Sequence, residues 1–115
     1  MLFICYAGCS TCKRAQALLE AKGLPFESRD IKFARPSEQE LREWQAMSGL
    51  PVERFFNTSG LLYRALELKD KLPVMTESEK FRLLASDGML VKRPILVADT
   101  RVFVGFREAE WSALA

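Results

Sequence analysis

Histidine is absent from all 115 residues. Without imidazole the chain has neither the usual base of Ser-His-Asp or Cys-His catalysis nor a nitrogen ligand for zinc. Three cysteines remain, one short of a four-thiolate structural site, so no metal is expected. A strong charge of one sign is lacking too: 17 basic residues face 15 acidic ones, for a net charge of +2. So mixed a balance gives no footing for direct binding to nucleic acid or to an anionic membrane. No apolar run approaches the ~20 residues of a membrane span, and the opening MLFICYAGCS lacks the basic leader and long apolar region of a signal peptide. A cytoplasmic location is therefore expected. Internal repeats and low-complexity segments are missing as well.

What is present is core material. Hydrophobic residues make up 49% of the chain, eight of them phenylalanine, enough to offset the entropy of ordering it. One domain spanning 1–115 is the expectation for this length.

Leu2 to Tyr6 is an apolar run stopped by Ala7-Gly8 and reads as a buried strand. From about Cys12, Ala15, Leu18, Leu19 and Ala21 recur near helical spacing, with Gly23 and Pro25 as the stop. Phe26 to Ile31 reads as a second strand. The middle of the chain is helical, an insertion over about 37–88. Ser37-Glu38-Gln39-Glu40 is a capping box ahead of Leu41, Trp44 and Met47, and Thr76-Glu77-Ser78-Glu79 is another ahead of Phe81 and Leu84. Between them, Pro51–Phe56 and Leu61–Leu68 read as short helices joined by Asn57-Thr58-Ser59-Gly60. Ile95–Ala98 and Val102–Gly105 then form a hairpin, and Glu108–Leu114 a last helix. The predicted order β-α-β, helical block, β-β-α matches an α/β fold: a four-stranded mixed sheet flanked by helices, thioredoxin-like, with a helical insertion between strands 2 and 3. By analogy with that fold, Pro94 holds the place of a cis proline facing the cysteines, while the residues themselves leave an ordinary trans bond equally open.

Cys9 and Cys12 lie three apart where a strand turns into a helix. That spacing lets both sulfurs meet beside the first turn and form a disulfide with little backbone movement. Free N–H groups and the dipole at a helix start stabilise a thiolate, so no histidine is needed. Cys9, outside the helix, is the expected nucleophile, and Cys12, inside it, the resolving thiol. Ser10, Thr11 and Lys13 stand ready to add hydrogen bonds or positive charge, and Lys13 and Arg14 can equally be solvated. Cys5, near the end of a buried strand, reads as a small hydrophobe.

Two further places offer anion contacts. The Phe56 to Gly60 segment, including Asn57 and Ser59, either presents backbone N–H groups to an anion or simply caps the next helix. Arg93, beside Pro94, can hold a substrate carboxylate or oxyanion near Cys9 in its planar fork, or stand on the surface. Trp44, Trp111, Phe81 and Leu84 are expected to pack helices onto the sheet.

Cys9-Ser10-Thr11-Cys12-Lys13, Arg29-Asp30-Ile31, Phe55 to Gly60 with Tyr63-Arg64, Leu84 to Leu90, Lys92-Arg93-Pro94 and Val104-Gly105-Phe106 occur in the order of the ArsC-like, Spx/MgsR family. The chain resembles that family over nearly its whole length. The resemblance implies a thioredoxin-like fold and a cytoplasmic protein with thiol redox activity, whose chemistry is thiolate attack followed by disulfide exchange. Cys9 matches the catalytic cysteine of arsenate reductases, and Arg93 the arginine before their active-site proline. Those reductases carry further oxyanion-binding arginines where this chain has Glu53 or Arg54, and Gly105 or Phe106. They also lack a cysteine at the position of Cys12, relying on glutathione and glutaredoxin. The Spx regulators do have the pair, use it as a switch and bind the RNA polymerase α subunit, with a glycine at about the position of Gly49. Three functions are thus in view. The first is thiol-disulfide exchange on a thiol or disulfide substrate, with no bound cofactor and with glutathione or another thiol as co-substrate. The others are a redox switch acting on RNA polymerase, and arsenate reduction driven by glutathione and glutaredoxin.

Overall fold

Phe3 and Ile4 are adjacent and both fully buried, which is possible only if apolar material covers the sheet on its two faces. They belong to β1, Leu2–Cys5, an inner strand of a four-stranded sheet ordered β2-β1-β3-β4. The computed structural model describes residues 1–114. β2 (Glu27–Asp30) runs parallel to β1, while β3 (Ile95–Val97) is antiparallel to β1 and to β4 (Val102–Val104). β2 has no apolar residue, a composition tolerated at an edge where little is buried.

Phe3, Leu96 and Phe103 point to one face, where α1 (Ser10–Ala21) supplies Ala15 and Leu19 and α6 (Glu108–Ser112) supplies Trp111. Ile4, Ile95 and Val102 point to the other, covered by the insertion through Leu41 and Trp44 of α2 (Glu38–Ser48) and Phe81 and Leu84 of α5 (Glu77–Ser86). Both capping boxes form: the Ser37 and Thr76 side chains accept from the Glu40 and Glu79 amides at 3.1 Å, and each glutamate accepts back from the cap's own N–H. The observed layers are those of the thioredoxin-like arrangement.

Some boundaries differ from the sequence reading. α1 starts at Ser10 rather than near Cys12, because Cys9 takes extended backbone (φ −95°, ψ 117°) and its carbonyl receives the Lys13 amide at 3.2 Å. Leu61–Leu68 is not one helix. Glu67 adopts φ 55°, splitting the segment into α3 (Leu61–Ala65) and α4 (Leu68–Lys71). A single helix would put Leu61 and Leu68 on one face, whereas Leu61 is 84% exposed and Leu68 2%. Pro51–Phe56 holds only a 3-10 turn, Val52–Phe55.

An ion pair ties the insertion to β2. Arg29 donates to both Glu40 oxygens, at 2.6 and 2.9 Å, and to the carbonyls of Ala34 and Arg35. The Arg29 hydrogen bonds outweigh the cost of burial, and with the Ser37 amide they hold the Glu40 carboxyl down at about 2. A carboxylate depressed in the folded state contributes stability above its unfolded pKa, and loses it as pH falls through the folded value. Thermal melts should therefore show Glu40→Gln destabilised by about 1–2 kcal/mol at pH 7, because the pair is partly solvated and the cap is weakened too. The deficit shrinks as pH falls from about 4.5 toward 2. A constant deficit across that window would exclude Glu40 ionisation as its source.

Candidate functional site at the first turn of helix α1

β1 ends at Cys5, and the chain swings through Tyr6 to Gly8 so that Cys9 stands at the N-cap of α1. Cys9 is half-buried and lines a cleft of about 610 Å³. Cys12, one turn into the helix, is 3% exposed, and its Sγ accepts the Tyr6 N–H at 3.4 Å. All three cysteines are free thiols.

The two sulfurs are driven in opposite directions. Burial pushes the Cys9 thiol up, but hydrogen bonds from the Cys12 amide, the Cys12 thiol, the Thr11 amide and Arg93 outweigh it, leaving Cys9 below its ordinary value. Cys12 is pushed up to about 12, chiefly by burial, against the Tyr6 amide and with Cys9 adding to the rise. A hydrogen bond donated by the Cys12 thiol to Cys9 favours the thiolate on Cys9 and the thiol on Cys12. Cys5 is half-buried, and burial, then Asp30 and Cys9, push its thiol up.

The Arg93 Cζ lies 5.0 Å from the Tyr6 ring, and its Nε and Nη1 are buried without a hydrogen-bond partner among the described residues. Donors so placed beside the Cys9 sulfur suit an anionic or carbonyl acceptor. Arg93-Pro94 is cis. Pro94 itself is buried, and Arg93, not the proline, forms part of the lining.

Thr11, Asn57 and Ser59 line the cleft with Cys9 and Arg93, whereas Ser10 is exposed on the outside of α1 and lies off the lining. The Asn57 to Gly60 segment ends in the N-cap of α3: the Gly60 carbonyl accepts the Arg64 amide at 3.3 Å, and no side chain adds a cap bond. The Asn57 amide donates to the Leu90 carbonyl at 2.8 Å, and Ser59 Oγ reaches Asn57 Oδ1 at 3.4 Å. Sequence reasoning missed Lys92, Met89, Leu62 and Phe106, which also line the cleft. Lys92 owes its place to its amide bond to the Phe55 carbonyl at 2.7 Å, a tertiary contact without local signal. Among the described residues no three His, Cys, Asp or Glu side chains cluster as metal ligands, and no helix is long and apolar enough to cross a membrane.

Comparison with known proteins places this geometry. The model of the ArsC family matches residues 5–114. The YusI protein of Bacillus subtilis is 44% identical over 111 residues, covering 96% of this chain and 94% of its own. Global transcriptional regulator Spx 1 of Oceanobacillus iheyensis is 31% identical over 104 residues, 89% of this chain and 76% of the regulator. The crystal structure of an ArsC family related protein from Bacteroides fragilis superposes with a TM-score of 0.94 at 47% identity, over 96% of this chain and 92% of that one. A family match that begins at Cys5 and runs to Leu114, spanning both cysteines of the pair and Arg93, settles the kinship: the chain belongs to the ArsC family.

Proposed function

We propose that the chain is a cytosolic thiol-disulfide oxidoreductase in which Cys9 is the nucleophile and Cys12 the resolving thiol. The observation that carries this reading is the placement of two thiols at one helix start: Cys9 at the N-cap of α1 lines the cleft, and Cys12, one turn in, is 3% exposed. The Cys9 thiolate attacks one sulfur of a substrate disulfide, forming a mixed disulfide and expelling the other sulfur as a thiolate. Proximity of the product thiolate then draws the proton from Cys12, whose sulfur attacks Cys9 and expels the second product as a thiolate, which takes from solvent the proton Cys9 gave up on ionising. The Cys9–Cys12 pair has lost two electrons and two protons to the substrate. Two equivalents of glutathione or of another thiol return them, becoming a disulfide. Arg93, with Thr11, Asn57 and Ser59 around it, orients the substrate's polar groups. No substrate contact is proposed for Ser10, which faces solvent, or for Pro94, which is buried and off the cleft lining.

A redox titration against glutathione buffers, with acid quenching, alkylation and intact-mass readout, tests the pair. The expected result is a loss of two protons in mass, tracking the buffer with a potential of roughly −220 to −320 mV. A Cys9 that only acquires glutathione, or stays reduced throughout, would sink the internal-disulfide mechanism and favour a one-cysteine route.

The Spx 1 relative, a global transcriptional regulator by name, supports a second reading in which the same disulfide alters a surface offered to RNA polymerase. Gly49 sits exposed at the end of α2 in the left-handed region (φ 69°), with open space around it. Capture of the polymerase α subunit by one redox form alone favours the switch, and equal or absent capture favours the reductase.

A further inference from the structure

β4 has one neighbour only, so its outer side is a sheet edge. The Gly105 amide donates to the Pro94 carbonyl and the Ala98 amide to the Arg101 carbonyl, both at 2.8 Å. In this register Leu96 faces Phe103 midway between those pairs, so Phe103 exchanges its main-chain bonds with β3. The main-chain groups of Val102 and Val104 therefore point outward, and no backbone partner meets them among the described residues.

This edge forms the floor of a groove. Two clefts of about 270 and 180 Å³ lie along it, both lined by Arg54, Val104, Gly105 and Arg107. The larger shares Lys92 and Phe106 with the Cys9 cleft, so the two clefts are neighbours. Its charge is one-sided. Glu53 is taken up by Lys80 at 2.6 Å, and Glu110 lies 3.7 Å from Arg107. Arg54, Lys92 and Arg101 have no carboxylate partner among the described residues. Cations guard a sheet edge against pairing with a second copy, and the same field attracts a strand of opposite sign.

We propose that the β4 edge docks an extended acidic segment of a partner protein as an added strand, and feeds that partner's disulfide into the Cys9 cleft. Strand addition uses the Val102 and Val104 amides and carbonyls for affinity, and Arg54 and Arg101 for choice of partner. At ~3.3 Å per residue, a few extended residues span β4 and reach Phe106 at the cleft. The inference rests on the disulfide-exchange reading and names its substrate class: a cysteine disulfide flanked by acidic residues in a polypeptide.

The test uses a short glutamate-rich peptide whose single cysteine is capped as a pyridyl disulfide, its lysine-rich counterpart, and free dipyridyl disulfide as a neutral small probe. Pyridinethione release should be about tenfold or more faster from the acidic peptide than from the basic one at low salt, and the difference should fade as salt is added. Arg54→Glu with Arg101→Glu should erase that preference and leave the dipyridyl disulfide rate unchanged. In the binding arm, a serine version of the acidic peptide should protect the Val102 and Val104 amides from hydrogen exchange. Equal peptide rates with normal attack on dipyridyl disulfide, or exchange protection that misses both valines, would overturn the docking proposal alone. Failure of every disulfide probe would strike the exchange reading, and the binding arm would still decide the edge.

Discussion

Cys12→Ser should release one equivalent of leaving thiol from a small disulfide and then stop, whereas Cys9→Ser should release none. The contrast follows from which sulfur reaches the cleft: Cys9 lines it, while Cys12 is 3% exposed and turned toward the Tyr6 amide. Steady-state turnover falls in both variants by at least about 10³-fold, as expected when one member of a two-step covalent relay is lost. The burst separates them, and intact mass should find the substrate's half still attached to Cys9 in Cys12→Ser. The burst rate should rise with pH and level off at a midpoint below the ordinary thiol range, because Cys9 is lowered. A serine hydroxyl still donates to Cys9, so Cys12→Ala should move that midpoint upward relative to Cys12→Ser. A full wild-type rate in Cys9→Ser would remove Cys9 as nucleophile. Continuous turnover in Cys12→Ser would instead assign resolution to an external thiol or to Cys5.

Much of this arrangement is readable in the chain because it is local. Two capping boxes mark their helices, a strand followed by Cys-x-x-Cys places the pair at a helix start, and alternating cores on two sheet faces follow from β1 being apolar throughout. What escapes local reading depends on contacts distant in sequence. Ser10 and Thr11 are both polar and adjacent, yet only Thr11 faces the cleft, since the phase of α1 is set by burying Cys12, Ala15 and Leu19. Lys92 and Met89 join the site because the segment after α5 is anchored by a bridge between Phe56 and Val91. The break at Glu67 answers a demand of packing on Leu68, with no glycine or proline to announce it.

Gly88→Ala is the substitution expected to damage the molecule most without touching a reactive group. A Cβ at Gly88 would lie 1.8 Å from the Ile31 carbonyl oxygen and 2.8 Å from its carbon. Those atoms belong to backbone just after β2, and Ile31 is fully buried with its amide bonded to the Cys5 carbonyl at 2.8 Å. Neither side can yield as a flexible side chain would, so the expected cost is about 3 kcal/mol or more, at the upper end for an overpacked core. Gly23→Ala is the control: its φ of 66° carries conformational strain but the space around it is open, so about 1 kcal/mol is expected. The Gly88 change also has a chemical readout. Gly88 opens the turn that leads through Met89 and Lys92 to Arg93, and Arg93 is one of the donors holding the Cys9 thiol down. In whatever fraction remains folded, the Cys9 alkylation midpoint should move up toward the ordinary thiol value, while Gly23→Ala leaves it in place. Matching melts for the two variants would mean that the turn slides past Ile31 at little cost. An unmoved alkylation midpoint in a destabilised Gly88→Ala would mean that the cis Arg93-Pro94 segment is held by the sheet and not by the turn.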